Sequence, residues 1–340
     1  MYYTLSQLLL MFYIYCFLGW IWECCYVSVP AREWVNRGFL RGPVIPIYGF
    51  GAIITLWFTL PVKDSIPLIY IIGLVGASIL EYVTGALMEK TFHMRYWDYS
   101  HHKYNLNGHI SLFVSLGWGV FSVVLVKLLH PPIEYLVFKM PGFLTEIASY
   151  IFTIIFVVDT TTSIQSALDM KKLLKQLTEN NRLISTLELR LDSVASIINS
   201  RANQFQGQIQ KIKTGMQEII NLESGKNSLV EKLQKVRSSK LKLVELLSEM
   251  NDTIIKEVKL KINSDFQRPD KTQLSKLLKD LNQHKIDLKK LELNIFSRKD
   301  KVYKEAAKLI RRNPTAVSKH FKEAFEEIKQ LVKSKKFNKK

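Results

Sequence analysis

Five runs of apolar residues, roughly 4–27, 45–62, 66–88, 109–129 and 143–165, decide most of what this chain can fold into. Each is close to the ~20 residues that a helix needs to cross the hydrocarbon core of a bilayer. Backbone groups find no water there, so a spanning segment must bond to itself and be helical. The first run does not read as a removable signal, because it has no basic start and carries Trp20, Trp22 and Glu23 near its end. The second is the shortest and is entered through Gly42, Pro43 and Pro46, the pattern of a broken helix.

Charge divides the chain where the apolar runs stop. Residues 1–165 carry nine Lys/Arg and nine Asp/Glu, whereas residues 166–340 carry 39 and 21, so the whole net charge of +18 lies in the second half. That half holds only three Gly and two Pro. The expected fold is therefore all-α. A polytopic membrane domain, residues 1–165, has about five transmembrane helices, and a long, basic, helical coiled-coil tail, residues 166–340, follows it. The three cysteines, Cys16, Cys24 and Cys25, all fall in the first apolar run. They read as small buried hydrophobes rather than a disulfide framework or a metal site.

The connections set an orientation. Arg32, Arg37 and Arg41 lie in the first, and Lys90, Arg95 and Lys103 in the third, while the second and fourth carry little positive charge. The excess of Lys/Arg on cytoplasmic loops predicts a cell-membrane protein with its N-terminus outside. The loop at 89–108 and the tail are then inside.

Polar residues within this apolar half are the candidates for function. Gly73, Ala77, Glu81, Gly85 and Glu89 recur every four residues and share one helix face. Small residues there permit close helix packing, and a carboxylate inside a span is a functional candidate by default. Glu23 and Asp159 fall near the inner ends of their helices. Arg37, Arg41 and Arg95 are the counter-ions at hand. The connection TFHMRYWDYSHHKYNLNGHISL, residues 91–112, adds Trp97, Asp98, Asn105 and Asn107. We expect it to form a structured lid in which Asp98 and Asn107 approach Glu81 and Arg41. The candidate polar pocket is thus Glu23, Arg41, Glu81, Glu89, Trp97, Asp98, Asn105, Asn107 and Asp159. The histidines of the loop match no zinc-binding spacing, so no metal or other cofactor is expected.

FLGWIWE (17–23), RGFLRGPVIPIYGFG (37–51), EYVTGALMEKTFHMRYWDYS (81–100), NLNGHISL (105–112) and SLGWG (115–119) occur in this order. Together they resemble the bacterial membrane family labelled ABC-transporter type IV, or CmpB-type, over about residues 1–160. The resemblance implies a multi-spanning membrane protein and a permease component. It carries no residue role, and the tail lies outside it.

In the tail, Leu173, Leu177, Ile184, Leu187, Leu191, Val194 and Ile198 step by three and four, with one longer step, and Ile209, Ile212, Met216 and Ile219 continue the seam. SGKNSLVE (224–231) reads as a break and a capping box, before a second seam through Leu229, Leu233, Val236, Leu243, Leu247, Ile254 and Val258. SDFQRPDKTQ (264–273) breaks the pattern again. Helices are expected near 271–297, 299–312 and 315–333. Self-association or partner helices through 170–260, or an internal hairpin at Gly225, would each bury the seam. GKNS at 225–228 is not a phosphate loop, because position 220 is Ile rather than Gly. Any ATPase is therefore a separate subunit. The basic tail, KSKKFNKK above all, suits anionic lipid better than nucleic acid, since no base-reading or stacking module accompanies it. The function classes left are a permease-like transport component with a partner-binding tail, a membrane-anchored scaffold, and an enzyme acting on a lipid-linked substrate. No motif identifies catalytic residues.

Overall fold

The computed structural model describes residues 3–198, 207–215, 229–263, 268–296 and 300–332. Among the described residues the chain is all-α apart from one hairpin of two-residue strands and an isolated bridge between Arg95 and Val317. Helices α1 (Leu5–Ala31), α2 (Pro46–Thr59), α3 (Ile66–Phe92), α4 (Leu112–Val124), α5 (His130–Lys139) and α6 (Gly142–Ile198) build the apolar half. Helices α7 (Leu229–Asn263), α8 (Arg268–Phe296), α9 (Asp300–Arg312) and α10 (Lys322–Val332) follow.

Four stretches, Leu5–Ala31, Ile66–Phe92, Leu112–Lys139 and Gly142–Leu191, hold helices long and apolar enough to cross a membrane. The second expected span is shorter. Pro46 opens α2, which tightens into a 3₁₀ turn at Leu60–Val62 and covers roughly 25 Å at the usual helical rise. The loop expected after residue 129 is also absent: the helix passes through a π turn at Leu125–Leu129 and continues to Lys139. Pro131 and Pro132 follow that turn; they have no N–H to return to the helical carbonyls before them, and the ladder widens to the π register just ahead of them.

Helix ends follow from local chemistry. Thr4 and Gln7 form a reciprocal capping box at the start of α1. Arg32 and His93 end α1 and α3 in the left-handed region, each returning its N–H to the last turn. On α3, Ile71, Val75, Ile79, Val83 and Leu87 form an exposed apolar stripe, while Gly73, Ser78, Glu81 and Gly85 are buried on the other side. An apolar exterior and a polar, small-residue interior suit hydrocarbon as solvent. At Gly73 a Cβ would overlap the Ser122 side chain, and Ser78 Oγ donates to Ser115 Oγ at 2.8 Å. The small residues thus set how closely α3 and α4 approach. Cys16 and Cys24 are buried as expected, but Cys25 is exposed.

The chain divides into two compact units. One is Met1–Lys171 with Glu305–Lys322, and the other is Lys172–Lys304 with Glu323–Lys340. Residues 305–322 therefore pack with the apolar half, although in sequence they belong to the tail. The second unit has its own core, with Ile184, Leu187 and Leu191 of α6, Ile209 of the helical stretch 207–215, Leu243, Leu247, Ile254 and Val258 of α7, and Leu281, Leu288 and Leu291 of α8. Seam residues read from the sequence are thus covered by helices of the same chain. Lys240 Nζ donates to Glu327 Oε1 at 2.7 Å and to Asn181 Oδ1 at 3.1 Å beside that core. The side chains of Val194, Ile198, Met216, Ile219, Leu229 and Leu233, the break at 224–228 with its hairpin at Gly225, and KSKKFNKK lie outside the described residues. The last helix begins at Lys322 rather than near 315, because residues 313–316 form a turn and Val317 pairs with Arg95 as an isolated bridge.

Leu247 is fully buried and Leu260 is 71% exposed. Leu247→Ala should destabilise the second unit by about 2–5 kcal/mol, and Leu260→Ala by no more than about 0.5 kcal/mol. Denaturant unfolding of the full chain, with proteolysis reporting the 172–304 region, measures both.

Candidate functional site

The polar groups of the apolar half gather at the loop-bearing ends of α1, α2, α3, α4 and α6. Three connected clusters result.

The first centres on Glu81, which is 5% exposed. Trp118 Nε1 of α4 donates to Glu81 Oε2 at 2.8 Å, and the Tyr99 hydroxyl donates to Oε1 at 3.1 Å. Among the described residues no basic side chain pairs with this carboxylate. Burial pushes the Tyr99 phenol well above its ordinary value, so it stays protonated and acts as a donor. Next to it, the Tyr48 hydroxyl of α2 donates to Glu23 Oε1 at 2.8 Å, and Glu23 Oε2 faces Arg37 Nε at 3.7 Å. The Tyr48 and Trp118 rings meet edge to face. Between them lies a cavity of about 40 Å³, lined by Tyr48, Thr55, Glu81, Trp118, Phe121 and Ser122 among others. That is room for a few water molecules beside a carboxylate.

The second cluster is built by the loop. Arg95 bridges Glu89 of α3, at 2.8 Å, and Asp98, at 3.2 Å. His109 Nε2 also faces Glu89, at 3.2 Å. Ser100 donates to Asp98 Oδ1 through its N–H and its hydroxyl. Burial alone would push Asp98 up, but the two Ser100 donors and the Arg95 guanidinium outweigh it and hold the carboxyl below its ordinary value. Asn105 and Leu106 pair with Ser111 and Ile110 in a hairpin whose turn residues, Asn107 and Gly108, both have positive φ. Asn-Gly supplies that conformation cheaply. A Cβ at Gly108 would overlap Arg95, Asp98 and Ser100, so glycine is required there twice over. Asn105 ties the loop internally, donating to the His102 carbonyl and accepting from the Gly108 N–H. Trp97 Nε1 donates to the His109 carbonyl.

The third cluster is Asp159 of α6. Its two oxygens accept the N–H groups of Arg41 and Gly42, at 3.0 and 2.8 Å. The carboxylate thus caps the turn that leads into α2. The Arg41 side chain instead reaches Ser166 Oγ at 2.8 Å and Glu305 Oε2 at 3.1 Å.

The nine candidates therefore separate into groups. Loop 93–111 covers Glu81, but the residue that reaches it is Tyr99, not Asp98 or Asn107. Asp98 pairs with Arg95 rather than Arg41, because three residues of loop separate the two. Asn107 is exposed and donates to the Tyr82 hydroxyl at 3.0 Å. Trp97 and Asn105 hold the loop's own backbone, and Asp159 of α6 meets the Arg41 backbone in the connection before α2.

Sequence reasoning missed Tyr48, Tyr99 and Trp118 as donors, because spacing within one segment does not show which aromatic meets a carboxylate of another. It also missed a separate cluster in which buried His130 bonds the hydroxyls of Tyr15 and Tyr3, with Glu134 beside them. The i, i+4 spacing of His130 and Glu134 was the available signal.

Apolar helices of spanning length, an apolar exterior and acidic groups satisfied inside the helix bundle define an α-helical membrane protein. Residues 10–164 match the family model described as "Putative ABC-transporter type IV", the family whose motifs the sequence carries. No curated protein and no solved structure matches the chain.

Because the Asp98 carboxyl is held low in the folded loop, its contribution to stability is present above its ordinary value of about 4 and is lost as pH falls through the folded value. Unfolding midpoints followed by tryptophan fluorescence should fall on acidification below about pH 4. Asp98→Asn should flatten that fall, whereas His101→Ala should leave it unchanged, since His101 is exposed.

Proposed function

We propose that the protein is the membrane-spanning, permease-like component of a transport assembly, and that Glu81 is the group that meets the transported species. One observation carries this reading: a buried carboxylate inside a span is held only by neutral donors and borders a small cavity. A charge there costs several kcal/mol, roughly, unless something neutralises it. A proton or a cationic group arriving through the cavity supplies what the bundle does not. Tyr99 and Trp118 orient the carboxylate, and Glu23, Tyr48 and Arg37 extend the polar path toward the loops. The carboxylate cluster occupies the cytoplasmic half, with the N-terminus outside and the basic tail inside, as the Lys/Arg distribution supports. ATP hydrolysis, in such an assembly, belongs to a separate subunit.

The tail serves as the partner-binding part. Its described seam residues, Ile184 to Leu191 and Leu243 to Val258, are covered within the chain, so partners, including anionic lipid, meet its charged faces. The compactness of the second unit also favours a second reading, a membrane-anchored scaffold.

Purification of the intact protein from its native membrane, after mild cross-linking, distinguishes the two. A nucleotide-binding subunit in constant ratio is expected, and recovery with other cytoplasmic proteins and no such subunit favours the scaffold. Glu81→Gln keeps the side chain's shape and should lower ATP hydrolysis by the purified assembly by about tenfold or more. Hydrolysis at the wild-type rate would remove Glu81 from the pathway. The orientation has its own check. Ser100→Cys, in a background without the three native cysteines, should resist an impermeant thiol reagent in sealed cells and react once they are opened.

A further inference from the structure

Residues 313–318, Asn-Pro-Thr-Ala-Val-Ser, come from beyond the family match and pack on two loops within it. The pairing is specific at nearly every position. Asn313 is 2% exposed. Its Oδ1 accepts from Arg37 Nη1 at 3.2 Å, and its Nδ2 donates to the Gly38 carbonyl at 3.0 Å. Gly38 has φ 138°, a backbone state that side-chain-bearing residues rarely adopt, and this state presents the carbonyl. Pro314 ends α9, and the Ala316 N–H donates to the Asn313 carbonyl at 3.0 Å, so residues 313–316 make a turn before the chain extends at Val317. Thr315 Oγ1 accepts from Arg37 Nη2 at 3.1 Å and donates to the Tyr96 carbonyl at 3.2 Å. Ala316 is fully buried. Val317 and Arg95 exchange both backbone bonds, at 2.8 and 3.0 Å, as one rung of an antiparallel sheet. Ser318 Oγ donates to the His93 carbonyl at 2.7 Å.

Backbone bonding on an open edge, combined with pockets for alternate side chains, is how extended peptides are recognised. We propose that the loop surface formed by residues 37–39 and 93–96 is a sequence-specific peptide-binding site, occupied by this chain's own segment 313–318. The surface reads a carboxamide at the first position, hydroxyls at the third and sixth, and a small side chain at the fourth. Arg37 links the peptide site to the membrane interior, because the same guanidinium faces Glu23. Occupancy therefore fixes the counter-ion of an intramembrane carboxylate. The proposal concerns recognition and stands whatever the protein transports.

Hydrogen exchange of the full chain in lipid nanodiscs, read by mass spectrometry, tests it. In the wild type the Arg95 and Val317 amides should exchange slowly. Replacing residues 313–318 by a Gly/Ser sequence of equal length should speed exchange across 93–96 by about tenfold or more. A synthetic peptide of residues 305–322, in excess, should restore protection in that variant, and a scrambled peptide should not. Asn313→Ala, which leaves the rest of the segment intact, should give intermediate exchange at 93–96. Unchanged protection of 93–96 in both variants, or equal protection by the native and scrambled peptides, would overturn the proposal.

Discussion

Arg37 holds three separate pieces of chain together. Its guanidinium faces Glu23 at the end of α1, bonds the Tyr96 carbonyl in the loop after α3, and grips Asn313 and Thr315 of the segment after α9. Its own N–H donates to Cys24 Sγ. A guanidinium offers five donors in a rigid plane, and no other side chain could serve so many acceptors at once. The group is 9% exposed, so leaving its donors unmatched would be costly.

The same rule organises the rest of the apolar half. Lipid offers no hydrogen bonds, so the charged groups near the helix ends find partners inside the protein. Asp159 answers the N–H groups that the Gly42–Pro43 turn leaves open, Arg95 answers Glu89 and Asp98, and two neutral donors answer Glu81. The dense hydrogen-bonding chemistry of residues 91–112 follows from this demand. Most of it holds the loop in shape. Only Tyr99 leaves the loop to meet the buried carboxylate.

Glu81 differs from its neighbours in kind. Glu23, Glu89 and Asp98 each have an arginine within reach. Glu81 has a phenol and an indole. Those donors satisfy the oxygens without supplying charge, and the adjoining cavity leaves space for something that does. The proposed permease-like role rests on this asymmetry, not on the number of helices.

The sequence by itself determined the all-α fold, the division between a neutral apolar half and a basic half, and the face of α3 that carries Gly73, Glu81 and Glu89. These follow from spacing and hydropathy, which act within one helix. It also marked Asn107–Gly108, though not as the hairpin turn it proved to be. Tertiary structure alone decided which acid meets which base. Asp98 lies three residues from Arg95 and takes it, while Arg41, the partner first expected, is drawn to Glu305, far along the chain. It also decided how 313–318 run, a turn over 313–316 and then one extended rung at Val317. Asn313–Pro314 announces only that a helix stops there. What the freed backbone bonds to next depends on an edge at Arg95 more than two hundred residues earlier, and no local periodicity records that contact.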